Sequence, residues 1–426
     1  MSRRSWIAIL LFTLVLINYM DRVALSVAAK PVASEFALSP VAMGYLFSSF
    51  LWTYLLCLIP IGMAVDRIGT KRVIGGGIAA WSLATIATGL VSGFGPLLGT
   101  RLVMGAAEAT SYPASVRVIR DWFPQRERGL VTAVFNAGSS AGPAVGALLT
   151  GLLISLFDWR TAFVLLGGVG LVWFAAWQAL FANPERASWL APAERSMILA
   201  ERNGSVRSQA LAAASSSIWY LLCQRTVLGL VLAQACIVYT SYLFLTWLPS
   251  YLQSARDLTQ MSTGVFTAIP YLLTTILSVL VARFSDRALS PDRVQAGGRR
   301  IFVAAMALLS TTILLAPLAT ATLPLMITLT LVLTGSTTAS SMNFALANDV
   351  LRNPRDTSRV AGLMLFGGNS FGLAAPIITG YIVSGTGGYT WAFRVAAGLA
   401  ACSACLTLRA HPETSARIDG VFGCMV

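Results

Sequence analysis

The sequence is poor in charged residues, which form 11% of its 426 residues, whereas 56% are hydrophobic. Soluble domains carry about 25% charged residues. The mean hydropathy is +0.73, and the apolar residues fall in long runs. A helix that crosses a bilayer needs about 20 such residues. The composition therefore excludes a soluble domain and predicts an all-α membrane protein that crosses the bilayer many times.

Histidine and lysine are scarce: His411 is the only histidine, and Lys30 and Lys71 are the only lysines. A single histidine in the tail removes His-ligated metal sites and Ser-His-Asp catalysis from the helices. Neither lysine lies in the Gly-x-x-x-x-Gly-Lys-Ser/Thr pattern of a nucleotide-binding P-loop. We therefore expect neither enzyme activity nor a cofactor, metal ion or ATP site.

Acidic residues are also few, 17 against 30 Lys and Arg, which gives a net charge of +13. Such a charge can indicate nucleic-acid binding. Here, however, the basic residues recur in short clusters between apolar runs, which is the pattern of membrane topology. The six cysteines lie mostly in apolar runs. We expect a lipid bilayer as partner, no nucleic acid and no disulfide framework.

Twelve apolar runs are candidates for transmembrane helices, six on each side of a polar stretch. Their approximate bounds are 6–28, 42–65, 73–91, 94–117, 129–155, 161–182, 226–253, 263–284, 300–320, 323–350, 359–384 and 390–409. This division predicts an N-terminal six-helix bundle at 1–182, a linker at 183–225, a C-terminal bundle at 226–409 and a tail at 410–426. With the N-terminus inside, most Lys and Arg fall in cytoplasmic loops, so both termini are expected to be cytoplasmic.

The two halves form a weak repeat of about 230 residues. Thr150-Gly151 matches Thr379-Gly380, and Ala162-Phe163 matches Ala392-Phe393. Repeated halves with a central linker are typical of transporters whose halves rock about a site at the membrane midplane. The repeat is interrupted at Arg101 and Glu108, which correspond to Leu331 and Thr338.

Four charged residues lie well away from the ends of their apolar runs: Asp21 and Arg22 in the first, Arg101 and Glu108 in the fourth. A charge at mid-bilayer costs about 2.5–3.5 kcal/mol on the insertion scale, and such residues usually face an internal cavity. Arg can hold a carboxylate through two hydrogen bonds and keeps its charge. The pattern predicts an anion site near these residues, although an ion-pair network that only joins the two helices fits it as well.

The loop between the second and third runs carries a motif at 62–72. It resembles the Gly-x-x-x-Asp-Arg-x-Gly-x-Arg-Lys signature of the major facilitator superfamily, whose fold is twelve helices in two pseudo-symmetric halves. Its carriers are Gly62, Asp66, Arg67, Gly69 and Arg72. We interpret them as a conformational lock, in which Gly62 allows close helix packing and Asp66 pairs with an Arg.

Within that superfamily the chain resembles the anion:cation symporter family, which includes bacterial galactonate, glucarate and hexuronate transporters. The resemblance rests on three motifs: Asn18-Tyr19-Met20-Asp21-Arg22, Arg101-x-x-x-Gly105-x-x-Glu108-Ala109-x-x-x-Pro113 and Phe244-Leu245-Thr246-Trp247-Leu248-Pro249. It implies that Asp21 and Glu108 carry protons and that Arg22 and Arg101 bind the substrate carboxylate.

The resemblance also suggests polar substrate contacts, which are Tyr19, Tyr54, Gln234, Asn369 and Ser139, with Ser340, Ser341 and Asn343 as weaker candidates. Ser139 stands where galactonate-type members have Gln, which argues against galactonate itself. Hydrogen bonding between helices is the alternative role for each residue.

The expected function is proton-coupled uptake of a small organic anion such as a sugar acid, by a monomer in a bacterial inner membrane. One alternative is proton-coupled efflux, since Gly138-x-x-x-Gly142-Pro143-x-x-Gly146 resembles the antiporter motif of multidrug exporters. A sensor that binds the anion without moving it, and coupling to Na⁺, are further alternatives.

Overall fold

The computed structural model describes residues 4–187, 189–190, 194–199, 217–290, 298–351 and 356–410, and this part of the chain is helical with no strand. The first eight helices are α1 (Ser5–Val27), α2 (Ala29–Glu35), α3 (Pro40–Ile68), α4 (Thr70–Thr88), α5 (Phe94–Glu108), α6 (Ser111–Trp122), α7 (Gln125–Leu156) and α8 (Trp159–Leu180). The later helices are α9 (Ile218–Cys223), α10 (Arg225–Arg256), α11 (Gln260–Ala288), α12 (Arg299–Leu309), α13 (Thr322–Val350), α14 (Thr357–Thr386) and α15 (Thr390–Arg409). Short 3₁₀ helices lie at Pro184–Arg186 and Ser310–Leu318, the second continuing α12.

Every predicted transmembrane run is helical in the structure. Among the described residues, ten helices are long and apolar enough to span a membrane. The other two predicted runs are α4, whose hydropathy is lowered by Lys71, Arg72 and three glycines, and the segment that α5 and α6 share. The predicted span 94–117 is interrupted at two residues, because α5 ends at Glu108 and α6 begins at Ser111.

The helices form two halves, an N-half (α1–α8) and a C-half (α10–α15), whose packing repeats. In the N-half, α1 packs on α7, α3 on α5, and α4 on α5 and α8. In the C-half, α10 packs on α14, α11 on α13, and α12 on α13 and α15. These pairs correspond in chain order, so the weak sequence repeat reflects two similar six-helix bundles.

The halves meet through α3 with α14, α7 with α11, and α1 with α10. We call the end of the bundle that holds Ser5 and Arg409 the terminal end, and the opposite end the distal end. Ser48 donates from its hydroxyl to the Leu373 carbonyl at 2.7 Å, and the hydroxyls of Tyr45 and Tyr381 lie 3.3 Å apart. All these residues lie in the distal parts of their helices.

Towards the terminal end the same helices expose large apolar side chains. Leu56 and Ile59 of α3 are 75% and 77% exposed, and Phe284 of α11 and Phe366 of α14 are also exposed. At the distal end α3 and α14 approach closely, since a Cβ at Gly44 would overlap the Pro376 carbonyl and one at Gly380 would overlap the Pro40 carbonyl. At the terminal end of the same helices, a Cβ at Gly62 or Gly362 would meet no atom within 4 Å. The structure is therefore closed at its distal end and open at its terminal end.

The described residues at the start of the predicted linker pack against the N-half. Trp189 stacks on Trp122 of α6, with ring centroids 5.3 Å apart. Arg4, at the start of α1, contacts Glu127 at 2.9 Å and Glu194 at 3.4 Å. The beginning of the linker thus forms part of the terminal end of the N-half.

Candidate functional site

A buried ion pair joins α1 to α5. Arg22 donates from Nε to Glu108 Oε2 at 2.7 Å, and both side chains are almost completely buried. Two charges removed from water repay their desolvation only when they are paired with good geometry. The pair therefore fixes the approach of α1 to α5 in this conformation, and it occupies the arginine that was expected to bind substrate.

The other two charged residues lie beside this pair with few hydrogen bonds. Asp21 is 1% exposed, and neither of its carboxyl oxygens has a hydrogen-bond donor. Arg101 is 2% exposed; its Nη1 contacts the Met104 sulfur at 2.9 Å, and its Nε has no acceptor. The charges of Glu108 and Arg101 act on Asp21. The structure brings together all four charged residues that the sequence singled out.

Glu108 stands at a bend in the chain. Pro113 has no backbone N–H and cannot bond the carbonyl four residues before it, at Ala109, as a regular helix would require. The amide of Thr110 donates to the Ala107 carbonyl at 3.3 Å, three residues back, whereas a regular α-helix bonds four residues back. The proline thus accounts for the break between α5 and α6, directly after the buried carboxylate.

Aromatic rings surround the Arg22 guanidinium. Its central carbon lies 4.8 Å from the ring centroid of Tyr19, 5.0 Å from that of Phe50 and 5.1 Å from that of Tyr54. Phe50 also lies 5.4 Å from Arg101. A cation over an aromatic face is stabilised by about 0.5–2 kcal/mol. Tyr19 and Tyr54 are at the site as expected, whereas the contribution of Phe50 was not apparent from its sequence.

The C-half reaches the site through Tyr242 of α10, which sequence reasoning missed. Its ring lies 6.4 Å from that of Phe50, and its hydroxyl donates to Asn369 Oδ1 at 3.0 Å. Asn369, a predicted substrate contact, is therefore linked to the arginines through Tyr242. A tyrosine inside an apolar helix gives no sequence signal that separates it from core packing.

Gln234 is hydrogen-bonded to α13 in this structure. Its amide donates to Ser340 at 2.7 Å and accepts from Asn343 at 3.1 Å, so both ends of the amide are occupied. In this conformation Gln234, Ser340 and Asn343 join α10 to α13, as the alternative interpretation stated. Ser341 and Ser139 both donate to carbonyls of their own helices.

The motif at 62–72 forms the turn between α3 and α4. Gly69 has a φ of +85°, a backbone conformation that favours glycine, and Asp66 accepts from Arg117 of α6 at 2.6 Å. Arg67 and Arg72 are exposed. The prediction that Gly62 serves close packing was wrong for this conformation, because a Cβ there would meet no atom within 4 Å.

The glycine motif of α7 packs directly on α1. A Cβ at Gly138 would overlap the Phe12 carbonyl, and one at Gly142 would overlap Tyr19 and the Leu16 carbonyl. The motif therefore positions the segment of α1 that leads to Asp21 and Arg22. Among the described residues, no three His, Cys, Asp or Glu side chains lie close enough to hold a metal ion.

Comparison with known proteins agrees with this architecture. Residues 11–294 match the model of the Major Facilitator Superfamily. The D-galactonate transporter of Escherichia coli O6:H1 is 29% identical over 90% of each chain. The probable galactarate/D-glucarate transporter of Bacillus subtilis is 31% identical over 92% of this chain and 88% of its own, and the hexuronate transporter of the same species is 30% identical over 95% and 93%.

Solved structures support the fold independently. A bacterial homologue of the human lysosomal transporter Spinster, crystallised in an inward-facing and occupied conformation, aligns over 96% of both chains with a TM-score of 0.72 and 17% identity. Its inward-facing, unoccupied form aligns with a TM-score of 0.67. The matched family model, the relatives and the twelve-helix architecture agree: the chain belongs to the major facilitator superfamily of membrane transporters and is a multi-pass secondary transporter.

Proposed function

We propose that this protein takes up a small organic anion, of the sugar-acid class, together with protons. The observation that carries the proposal is the buried cluster of Asp21, Arg22, Arg101 and Glu108, which lies where the N-half meets Tyr242 of the C-half. The names of the relatives, which are transporters of galactonate, galactarate, glucarate and hexuronate, support the substrate class.

In this proposal the substrate carboxylate binds Arg101 and competes with Glu108 for Arg22. Arg101 has a guanidinium nitrogen without an acceptor, so it can accept an anion without losing a bond. A carboxylate displaced from its arginine in a buried site is costly unless it is neutralised. Glu108 therefore takes up a proton as the substrate displaces it, and Asp21 carries a second proton. Five residues are candidates to contact substrate hydroxyls, namely Tyr19, Tyr54, Ser139, Gln234 and Asn369.

Transport follows by alternating access, with the halves rocking about this site. We propose that the distal end faces outwards and that both termini lie in the cytoplasm, in agreement with the basic loops at the terminal end. The rocking units are the bundles at 1–182 and 226–409, joined by the linker at 183–225. Much of that linker and most of the tail at 410–426 lie outside the described residues. The transporter works as a monomer in the bacterial inner membrane, and the 62–72 motif locks its terminal end when that end closes.

Efflux by proton exchange is the second candidate, because the α7 glycine motif resembles that of exporters. In this structure the motif packs α7 on α1, a role that either direction of transport can use. The two arginines favour an anion over a lipophilic cation, since a cation would meet like charge there.

The test is uptake into proteoliposomes of labelled sugar acids under an imposed inward proton gradient, with an inward Na⁺ gradient as a separate arm. We expect accumulation driven by the proton gradient in the wild type. Glu108→Gln keeps the side-chain shape but cannot cycle a proton, so it should exchange substrate across the membrane without accumulating it. Glu127→Gln, at the exposed terminal end, is the matched control and should accumulate substrate like the wild type.

Two outcomes would contradict the proposal. Accumulation driven by the Na⁺ gradient alone would remove the proton role of Glu108 and Asp21. Absence of uptake of any acid, together with proton-driven extrusion of lipophilic cations, would replace uptake by efflux.

A further inference from the structure

Trp81 is a buried polar side chain that the mechanism above does not use. It lies on α4, is 0% exposed, and is among the largest fully buried side chains of the described chain. The face of α4 that carries it packs on α5: a Cβ at Gly77 would overlap Thr110, and Thr88 donates to Thr100 at 2.9 Å. Trp81 lies on this face, between the two contacts.

The indole N–H of Trp81 has no acceptor, although buried tryptophans usually find one. The indole lies beside the carboxyl group of Asp21, whose two oxygens have no donor. A donor without an acceptor therefore approaches an acceptor without a donor, from a helix that carries none of the four charged residues.

We propose that Trp81 is a positioning residue for proton release: its indole N–H donates to Asp21 once Asp21 has lost its proton. The inference rests on the proposed proton coupling. The O–H bond of the Asp21 carboxyl breaks, the proton leaves through the open terminal end, and the carboxylate accepts the indole N–H, which keeps its own proton. Because indole is neutral, it stabilises the carboxylate without adding a cation that would retain the substrate anion.

The other groups around Asp21 cannot take this role. Arg22, next to it on α1, is held by Glu108, and Tyr54 of α3 and Tyr242 of α10 face Arg22. From α5, Glu108 repels an ionised Asp21, whereas Arg101 attracts it. Arg101 is also the proposed substrate ligand and is shared with the anion while substrate is bound. Trp81 remains as a donor that substrate does not use.

The experiment compares wild type with Trp81→Phe in proteoliposomes, using the labelled sugar acid that the wild type accumulates. Net proton-driven uptake requires proton release, whereas exchange of labelled for unlabelled substrate at equal pH does not. A hydrogen bond to a charged group contributes enough to slow net uptake about tenfold when it is lost, and exchange should stay within about twofold. The pH midpoint of net uptake should rise by about one pH unit, since Asp21 would keep its proton to higher pH.

Trp173→Phe is the matched control. It makes the same substitution at another tryptophan of the N-half, whose indole donates to Thr13 at 2.8 Å and not to Asp21. It should leave the ratio of net uptake to exchange unchanged. In an Asp21→Asn background, Trp81→Phe should not change exchange further, because there is no carboxylate for the indole to serve.

The proposal is overturned if Trp81→Phe lowers net uptake and exchange equally, or leaves the pH midpoint in place. Where the phenylalanine variant does not fold, β-(3-benzothienyl)alanine at position 81 keeps the ring shape without the N–H and is read by the same criteria. If the proposed function itself were wrong, the wild type would show no accumulation driven by protons. That result differs from failure of the Trp81 proposal, in which the wild type still accumulates substrate.

Discussion

At the scale of single residues, we expect stability and transport to depend most on the Arg22–Glu108 pair. Both partners are buried and 2.7 Å apart. Breaking a buried pair leaves one uncompensated charge, whereas replacing both partners removes the penalty together with the bond.

We therefore expect Arg22→Ala to lose about 3–5 kcal/mol of stability, because Glu108 is left charged and buried without its partner. The measurement is the thermal unfolding midpoint of the purified protein in detergent. Arg22→Met combined with Glu108→Gln should recover most of that loss while remaining inactive in uptake. Equal midpoints for the single and double variants would show that the pair does not contribute to stability.

The sequence identified the residues of this cluster but not their pairing. Asp21 and Arg22 are neighbours in the chain, yet the structure pairs Arg22 with Glu108 on another helix. The partner depends on how α1 is rotated against α5, and helix periodicity alone does not specify that rotation. Phe50 and Tyr242 could not be identified for the same reason, because only their placement separates them from other buried aromatic residues.

At the scale of helices, the contact of α7 with α1 depends on glycines, which have no side chain to separate the two backbones. A Cβ at Gly142 would overlap Tyr19 and the Leu16 carbonyl, whereas one at Gly129 on the same helix meets nothing within 4 Å.

Gly142→Ala should therefore destabilise the protein by about 1–3 kcal/mol through overpacking. It should also weaken substrate binding, because Tyr19 is displaced. Gly129→Ala is the control and should be neutral or slightly stabilising, since alanine is the better helix former. The readouts are the unfolding midpoint and the KM of uptake; an equal effect of both substitutions would refute the packing role.

At the distal end, a polar clamp holds α2 against the N-half. Glu35 accepts from Arg160 at 2.6 Å and from the Trp159 indole at 2.6 Å, while Arg160 also donates to the Gly89 and Val91 carbonyls. Hydrogen bonds from Arg160 and then Trp159 lower the pKa of Glu35 below its usual value.

The sign of the pH effect follows from this shift. A carboxyl whose pKa is lower in the folded state contributes stability above its unfolded pKa of about 4.3 and loses it as the pH falls through the folded value. Below about pH 4.5, the unfolding midpoint of the wild type should therefore fall more steeply than that of Glu35→Gln. Parallel curves for the two proteins would exclude a role for the clamp in acid stability. Asp158, which also has a lowered pKa, is present in both proteins and does not affect their difference.

At the scale of the whole molecule, the distal contacts define one state of a two-state device. Tyr45 and Tyr381 lie on opposite halves, with hydroxyls 3.3 Å apart. If the halves rock, this contact must separate once in every transport cycle.

A short bifunctional thiol reagent should cross-link Tyr45→Cys with Tyr381→Cys in a background without the native cysteines, and thereby stop uptake. With a reducible reagent, reduction of the cross-link should restore uptake. Each single-cysteine variant should remain active after treatment. Continued transport by the fully cross-linked protein would show that the distal end does not open.

The sequence by itself determined the membrane location, the twelve helical segments, the repeated halves and the four charged residues. These features follow from hydropathy, helix length and the cost of charge in a bilayer, which are local properties of the chain. The tertiary structure alone decided which charges pair, where Pro113 breaks the fourth run, that Gln234 bonds Ser340 and Asn343 of α13, and which end of the bundle is open. These features depend on how the helices rotate and approach one another, and packing between residues distant in the chain sets that geometry.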